Sequence, residues 1–275
     1  MKQISFKTIL MALTTILLGL AACKKDPVEA PVDIPPQQQL PNPLPATALV
    51  KQVKWAENDH ETYTYNARGQ VSQRRFQYQY VQGDPTKIRT TVDDFQYDAQ
   101  DRPVLVNSTG GYTVRYFYHG NLIHTTKEFY PGGALAREVT YIYANNRIAQ
   151  EIWRVSNLPN EPVSVYKHAF SYDSKGNLNK IETYEQLENL QYKLLETVEY
   201  GDFDDKINPT GWTMRHPFLP QLRLQFNNPG KEVRRPAEGQ PETTFYTYDY
   251  NAQGLPVHKR KTGPSGSVLN MQYEY

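Results

Sequence analysis

Short segments in which apolar and polar residues alternate recur along most of this 275-residue chain. The segment FSYDSKGNLNKI, residues 170–181, contains an aromatic pair two residues apart, an aspartate, a glycine and a second alternation. Residues i and i+2 of a strand lie on the same face, so Phe170 and Tyr172 share a face. Asp173 followed by Gly176 indicates a tight turn, because Asp bonds nearby backbone groups and Gly adopts positive φ. The segment therefore predicts a β-hairpin.

The same phrase recurs, which indicates a repeated structural unit rather than a catalytic motif. Its successive copies end at Tyr65, Tyr97, Tyr118, Tyr143, Tyr172, Tyr200 and Tyr250, at spacings of 21 to 50 residues. Spacings in this range are typical of repeat architectures. Tyr, Thr, Val and Gly are frequent and no long 3.6-residue period is present, which argues against helices. We predict about 14 to 16 antiparallel strands joined in sequence.

The expected fold is all-β: a long antiparallel meander of repeated β-hairpins that forms a curled, elongated sheet with a tyrosine-rich concave side. About 15 strands spaced ~4.8 Å apart would form a sheet roughly 70 Å wide. Such a sheet twists, curls or splits. A closed barrel is the alternative. The mean hydropathy of −0.69 predicts that only one face of the sheet is consistently apolar.

One interval between repeats departs from the pattern. Residues 203–241 contain six prolines together with apolar residues such as Phe218, Leu219 and Leu224. Apolar residues in a segment without strand alternation need another surface to pack against. We predict an irregular insertion with a short helix, which caps one end of the sheet.

The N-terminus predicts an export signal and a lipid anchor. Lys2 and Lys7 precede an apolar stretch that is too short to span a bilayer, so residues 1–22 are interpreted as a signal peptide. Leu20, Ala21, Ala22 and Cys23 are similar to a bacterial lipobox, which makes Cys23 the predicted lipidation site. Cys23 is the only cysteine of the chain, so an intramolecular disulfide is excluded.

A linker is expected between the anchor and the repeats. Residues 23–46 begin with Cys23, and seven of the 23 residues that follow it are proline. Proline-rich polar segments adopt extended conformations and do not form a core. We therefore expect residues 47–275 to form the repeat domain, carried above a membrane by the lipid. The net charge of +1 gives no indication of nucleic-acid binding.

The phrases resemble YD repeats of the Rhs type in a short form. The chain is also similar to a group of uncharacterised lipoproteins of Bacteroidota, which combine a lipobox, a polar linker and tyrosine-rich hairpins with a Y-x-D-F-D-D-K-x-N-P phrase and an Asn-Asn phrase. Here these phrases are residues 200–209 and 227–229. The resemblance implies an outer-membrane lipoprotein and covers nearly the whole mature chain. The periplasmic and exterior faces of that membrane stay open as alternatives.

No motif of the sequence predicts catalysis, a cofactor or a metal site. The six histidines form no metal-ligand spacing, and Gly263–Ser267 lacks the last glycine of a nucleophile elbow. Asp202, Asp204 and Asp205 resemble the start of a calcium loop, but Lys206 follows them and the required glycine is absent. These acids are interpreted as a turn, with an acid–base role in an enzyme acting on an extracellular polysaccharide as the alternative.

The favoured function is a lipid-anchored, non-catalytic binding or structural module of the cell envelope. Tyrosine offers apolar area with a polar tip, which suits binding surfaces as well as packing. The candidate binding residues for a protein or glycan partner are Tyr116, Tyr118, Tyr141, Tyr143, Tyr172 and Trp212.

Overall fold

The computed structural model describes residues 46–81, 83–156, 163–210, 216–220 and 222–275. A short 3₁₀ helix, Ala46–Ala48, precedes sixteen strands. The strands are β1 (Gln52–Lys54), β2 (His60–Tyr65), β3 (Val71–Gln79), β4 (Ile88–Tyr97), β5 (Pro103–Ser108), β6 (Thr113–His119), β7 (Leu122–Phe129), β8 (Leu135–Ala144), β9 (Arg147–Val155), β10 (Ser164–Tyr172), β11 (Leu178–Gln186), β12 (Tyr192–Gly201), β13 (Lys231–Pro236), β14 (Glu242–Tyr250), β15 (Pro256–Thr262) and β16 (Val268–Glu274). In the described part of the chain, no helix has the length and apolar character needed to cross a bilayer.

The strands form a closed antiparallel barrel in sequence order. The first and last strands pair with each other, with Gln52 opposite Glu274 and Val53 opposite Tyr273. The all-β meander of hairpins is therefore confirmed, and so is the closed-barrel alternative, whereas the curled open sheet is wrong. An open sheet would leave two edges of unpaired backbone groups, and closure satisfies both edges at once.

The hairpin turns have the predicted geometry at one end of the barrel, here called the turn end. In the turn after β10, the Asp173 carboxylate accepts hydrogen bonds from the backbone N–H groups of Lys175 and Asn177 at 2.9 and 2.8 Å. Gly176 has a φ of 90°, and the register shifts between Ser171 and Tyr172 as expected for a bulge. Corresponding Asx turns, each with a positive φ at its fourth residue, begin at Asn66, Asp98 and Asn251.

In five of the phrases, and in the C-terminal pair Tyr273 and Tyr275, the first aromatic residue faces the interior of the barrel. These residues form the buried core together with residues of neighbouring strands, and they are Tyr63, Phe95, Tyr116, Tyr141, Phe170 and Tyr273. The tyrosine-rich side of the sheet thus becomes the inside of the barrel. Burial of these aromatic side chains adds to the hydrophobic stabilisation that the aliphatic residues of the core provide.

The last tyrosine of five phrases, and Tyr275 at the C-terminus, joins its hairpin to the preceding part of the barrel. Tyr143 of β8 donates a hydrogen bond to the carbonyl of Ile123 in β7, beyond the point where the β7–β8 backbone ladder ends at Thr125 and Thr140. Five further hydroxyl groups make the equivalent bond between adjacent strands at the turn end: Tyr65 to Val50, Tyr97 to Val71, Tyr118 to Pro103, Tyr172 to Ile148 and Tyr275 to Pro256. We call these six bonds the tyrosine ties.

The outward face of the barrel is polar in the middle of the strands. Lys127, Glu138 and Arg154 lie side by side on β7, β8 and β9. Glu138 is 2.8 Å from the amine of Lys127 and 3.7 Å from the guanidinium of Arg154. Their neighbours Val139 and Trp153 pack in the interior. At this level of the three strands, the apolar side chains therefore face inward and the charged ones outward.

The segment between β12 and β13, residues 202–230, has no strand among its described residues apart from one bridge between Ile207 and Asn227. The predicted insertion, 203–241, was too long, because Lys231–Pro236 continues the barrel as β13 and pairs with β12 and β14. The expected short helix is absent from its described residues. Leu219 and Leu224 belong to the core of the barrel, so the segment fills the interior and is called the plug from here on.

The tyrosine ties predict that Tyr143→Phe destabilises the protein by about 0.5–1.5 kcal/mol, because the carbonyl of Ile123 loses its donor. Urea unfolding of the purified protein measures this loss. Tyr192→Phe is the control, since Tyr192 is exposed on the barrel wall and should lose much less. Equal losses for the two variants would contradict a stabilising role for the ties.

Candidate functional site

The plug is fixed to the inside of the barrel at three strands. The Tyr116 hydroxyl of β6 donates a hydrogen bond to the carbonyl of Phe218. Nε2 of His216 lies 3.1 Å from a carboxylate oxygen of Glu151 on β9, and both side chains are buried. The guanidinium of Arg74 on β3 lies 5.5 Å from the centre of the Phe218 ring. Contacts to three separate strands hold residues 216–219 in one position.

The base of the plug is held by an asparagine of the opening phrase, Asn177. Asn177, which follows Gly176 in the opening phrase, is fully buried. Its side-chain oxygen accepts the backbone N–H groups of Phe226 and Asn227, both at 2.9 Å. Its amide nitrogen donates to Asp173 at 3.1 Å, so one side chain links the hairpin turn to the plug.

The three candidate acids of the sequence lie at the start of the plug. Asp204 accepts a hydrogen bond from the backbone N–H of Asn228 at 3.0 Å and another from the Tyr250 hydroxyl. Asp205 is exposed beside Lys206, and Asp202 has a positive φ of 55°. Asp204 thus stabilises the return of the plug to the barrel. In the described part of the chain, no three metal-ligating side chains of His, Cys, Asp or Glu come together.

A cavity of about 330 Å³ lies between the plug and the turn end of β5 to β10. We call it the turn-end cavity. Its lining consists of 101–103, Tyr118, 121–123, Tyr143, 145–148, Tyr172, Gly176, Leu219, 222–224 and Phe226. Its size falls near the lower limit of small-molecule pockets, which span roughly 300–1,000 Å³.

The walls of the turn-end cavity are tyrosine rings with their hydroxyl groups already bonded. Tyr118, Tyr143 and Tyr172 each donate to a carbonyl of the adjacent strand. Burial raises the pKa of each of these three phenols above its ordinary value. Because their hydroxyl groups are occupied and stay neutral, these residues offer the cavity mainly their apolar rings.

Three arginines line the same cavity. The guanidinium of Arg102 lies 2.7 Å from Asp98 and 4.5 Å from the Tyr118 ring centre. Arg147 lies over the rings of Tyr172 and Phe226, at 5.3 and 5.7 Å. Cation–π contacts of this kind hold a guanidinium in a defined position.

The third arginine, Arg223, belongs to the plug. It donates to the carbonyls of Asn208 and Phe226 at 3.2 and 3.5 Å. Burial lowers the pKa of the Arg223 guanidinium from its ordinary value, because the charged form is poorly solvated. The cavity therefore combines apolar walls with cationic groups.

Gly176 borders the cavity and lies against the guanidinium of Arg147. A Cβ at this position would force the guanidinium of Arg147 to move, and the φ of 90° already favours glycine. The glycine of the opening phrase thus serves both the turn and the placement of Arg147.

A second pocket lies on the other side of the plug. Its volume is about 290 Å³, and its lining includes Arg74, Asp93, Tyr78 and Phe218. Arg74 and Asp93 form a buried ion pair at 3.0 Å. Phe218 borders this pocket and Leu219 borders the turn-end cavity, so two consecutive plug residues separate the two spaces.

The structure brings together three of the six residues that the sequence proposed for binding: Tyr118, Tyr143 and Tyr172 line the turn-end cavity. Tyr116 and Tyr141 are buried deeper, where Tyr116 fixes the plug. Trp212 lies outside the described residues, as do Cys23, the predicted signal peptide and most of the predicted linker.

Sequence reasoning missed the arginines and leucines of the cavity. For two of the arginines, however, the repeat itself contains a sequence signal. Arg102 and Arg147 both follow a non-glycine residue with positive φ in the turn, at Asp101 and Asn146. Arg223 carries no such signal, because its position depends on how the plug folds into the barrel.

No family model and no curated protein matches this chain. Among solved structures, the chain resembles a porin-like protein from Bacteroides uniformis, with a TM-score of 0.56 and 13% identity over 83% of this chain and 97% of that one. A porin-like protein from Bacteroides vulgatus gives a TM-score of 0.48 and 12% identity over 82% of this chain and 98% of that one. At this identity, the first likeness shows the closed β-barrel fold and nothing about activity.

The packing of the plug predicts that Leu219→Ala costs about 2–5 kcal/mol of folding stability, as expected for a truncated leucine in a core. Leu219 is 3% exposed, whereas Leu135 on β8 is 37% exposed, so Leu135→Ala is the control and should cost far less. Denaturant unfolding measures both. If the two variants unfold at the same midpoint, the plug does not pack in the core.

Proposed function

We propose that this protein is a non-catalytic binding module of the cell envelope, attached to the outer membrane by lipid on Cys23. The barrel stands in water at the membrane surface, and the proline-rich linker spans the distance between the two. The ligand enters the turn-end cavity.

The single observation that carries the proposal is the orientation of polar and apolar side chains. Barrels that cross a membrane present an outward apolar band ~25 Å tall and a polar interior. Here the Lys127–Glu138–Arg154 cluster faces outward on three adjacent strands. On β12 and β13, in another part of the barrel wall, Arg235 pairs with Glu199 at 3.0 Å. A charged residue on a lipid-facing strand costs roughly 2–4 kcal/mol at the bilayer midplane. This outward face suits water.

The filled interior supports binding rather than conduction. Porins of 16 to 18 strands leave an aqueous channel because their interior is polar and open. In this barrel, Phe218 and Leu219 separate the two internal spaces, and Tyr116 and Glu151 hold them there. A cavity closed on one side by apolar residues retains a ligand and does not pass it through.

An enzymatic role finds less support at the acids that sequence reasoning considered. Asp204 is engaged by Asn228 and Tyr250, and Asp205 lies exposed on a turn. Glycosidases use two carboxyl groups about 5 to 9.5 Å apart across a substrate cleft. The only carboxylate among the described lining residues of the turn-end cavity is Asp101, which pairs with Arg68.

The lipid anchor predicts two results for Cys23→Ala. Radiolabelled palmitate should label the wild-type protein and not the variant, because the thiol carries the lipid. For the second result, residues 1–22 are replaced by a general secretory leader that is cleaved before residue 23. The lipid-free variant should then enter the aqueous phase in Triton X-114 separation, whereas the wild-type protein should enter the detergent phase.

Lys25→Ala is the control, since it leaves the thiol in place and should behave as the wild-type protein does. Label in the Cys23→Ala variant would refute the anchor. A lipid-free chain in the detergent phase would refute the water-exposed barrel.

A further inference from the structure

The turn-end cavity has an apolar floor. Leu219, Leu222 and Leu224 of the plug lie on one side, and Ile123 and Ile148 of the barrel wall lie on the other. Together with the tyrosine rings, these side chains favour an apolar ligand body over water, at about 25 cal/mol per Å² of apolar surface buried. The floor alone would accept any small apolar molecule of suitable size.

The charges around the cavity do not balance within the described part of the chain. Arg102 is neutralised by Asp98, and Asp101 is paired with Arg68. Arg147 stacks on aromatic rings and lies against Gly176, with no carboxylate at ion-pair distance among the described residues. Arg223 is bonded to carbonyl oxygens. The cavity thus retains two cationic groups without an anionic partner.

Arg223 also has one N–H donor that makes no hydrogen bond to the described residues. Its Nε is buried and has no hydrogen-bond partner among the described residues. A buried donor without an acceptor costs roughly 1–3 kcal/mol, and more when the group is charged. Nε is too deeply buried for a ligand in the cavity to reach, but an anion there would supply the opposite charge that the Arg223 guanidinium lacks among the described residues.

Arg147 is suited to receive the same anion. Its guanidinium is stacked on Tyr172 and Phe226, so its position is fixed while its N–H groups make no hydrogen bond to the described residues. A planar guanidinium binds a carboxylate through two parallel hydrogen bonds, and a prepositioned one loses little entropy on binding.

We propose that the turn-end cavity binds a small carboxylate with an apolar body, alkyl or aryl, whose carboxylate is held by Arg147 and Arg223 and whose body lies against Leu219, Leu222 and Leu224. This inference rests on the proposed role as a binding module and adds the chemical class of the ligand. The cavity of about 330 Å³ accepts a body of medium length and excludes a long acyl chain.

The test is isothermal titration calorimetry of the wild-type protein in lipid nanodiscs, with empty nanodiscs as the blank. The probes are octanoate, 1-octanol, acetate and 3-phenylpropionate. Octanoate should bind at least tenfold more tightly than 1-octanol, which lacks the charge, and than acetate, which lacks the apolar body. The relative affinities of octanoate and 3-phenylpropionate distinguish an alkyl ligand from an aryl one. Equal affinity for octanoate and 1-octanol would overturn the proposal.

Arg147→Gln should weaken octanoate binding at least tenfold and leave 1-octanol binding unchanged. Arg147→Lys keeps the charge and should retain part of the affinity. Arg260→Gln is the matched control, because Arg260 is exposed on β15 away from the cavity. The melting temperature of each variant shows that it is folded, which is expected since no described residue depends on Arg147 for an ion pair.

Wild-type affinity for octanoate in a folded Arg147→Gln variant would refute the carboxylate site. Failure of the carboxylate site can be distinguished from failure of the proposed function. Loss of the charge preference leaves a lipid-anchored barrel in water, whereas a lipid-free chain that enters detergent refutes that barrel and leaves the carboxylate site standing.

Discussion

A sheet of sixteen strands closes around more space than its own inward side chains can fill, and this constraint shapes the rest of the molecule. Membrane porins leave that space to water, with a polar interior. The interior of this barrel is largely apolar, apart from buried groups such as Arg74, Asp93 and Glu151, and an apolar surface of this extent would be unstable around a wide aqueous channel. The plug resolves the conflict, since Leu219 and Leu224 complete the core and Phe218 is held by Tyr116.

At the turn end of the barrel, hydrogen bonds to the plug and the tyrosine ties serve the same role in different parts of the wall. Around most of the turn end, the last tyrosine of a phrase bonds a carbonyl of the preceding hairpin. Where the plug enters, Tyr250 bonds Asp204 instead, and the carbonyl of Leu178 accepts Gln225 of the plug at 3.2 Å. At this point, hydrogen bonds to the plug therefore take the place of tyrosine ties between neighbouring hairpins. The turn-end cavity lies between these two types of contact.

The hairpins were predictable from sequence because their signals are local. The aromatic pair, the Asp173 turn and Gly176 lie within seven residues, and their geometry follows from backbone preferences. Closure was not predictable in this way, because Gln52 and Glu274 meet across almost the whole chain and neither carries a signal for the other. Tyr118, Tyr143 and Tyr172 were found as candidates through the repeat. Arg223 and Leu222 were missed, because only the path of the plug brings them to those tyrosines.

Hydrogen exchange of the plug tests most directly whether it is part of the core. Backbone N–H groups of the plug donate to the barrel and within the plug, as in Phe226 to the Asn177 side chain and Asn208 to the Phe226 carbonyl. Groups of this kind exchange only when the surrounding structure opens. The amides of Asn208 and Phe226 should therefore exchange within about tenfold of those in the centres of β9 and β10. Exchange as fast as that of the exposed Gly132, in the turn between β7 and β8, would contradict a barrel whose interior depends on its plug.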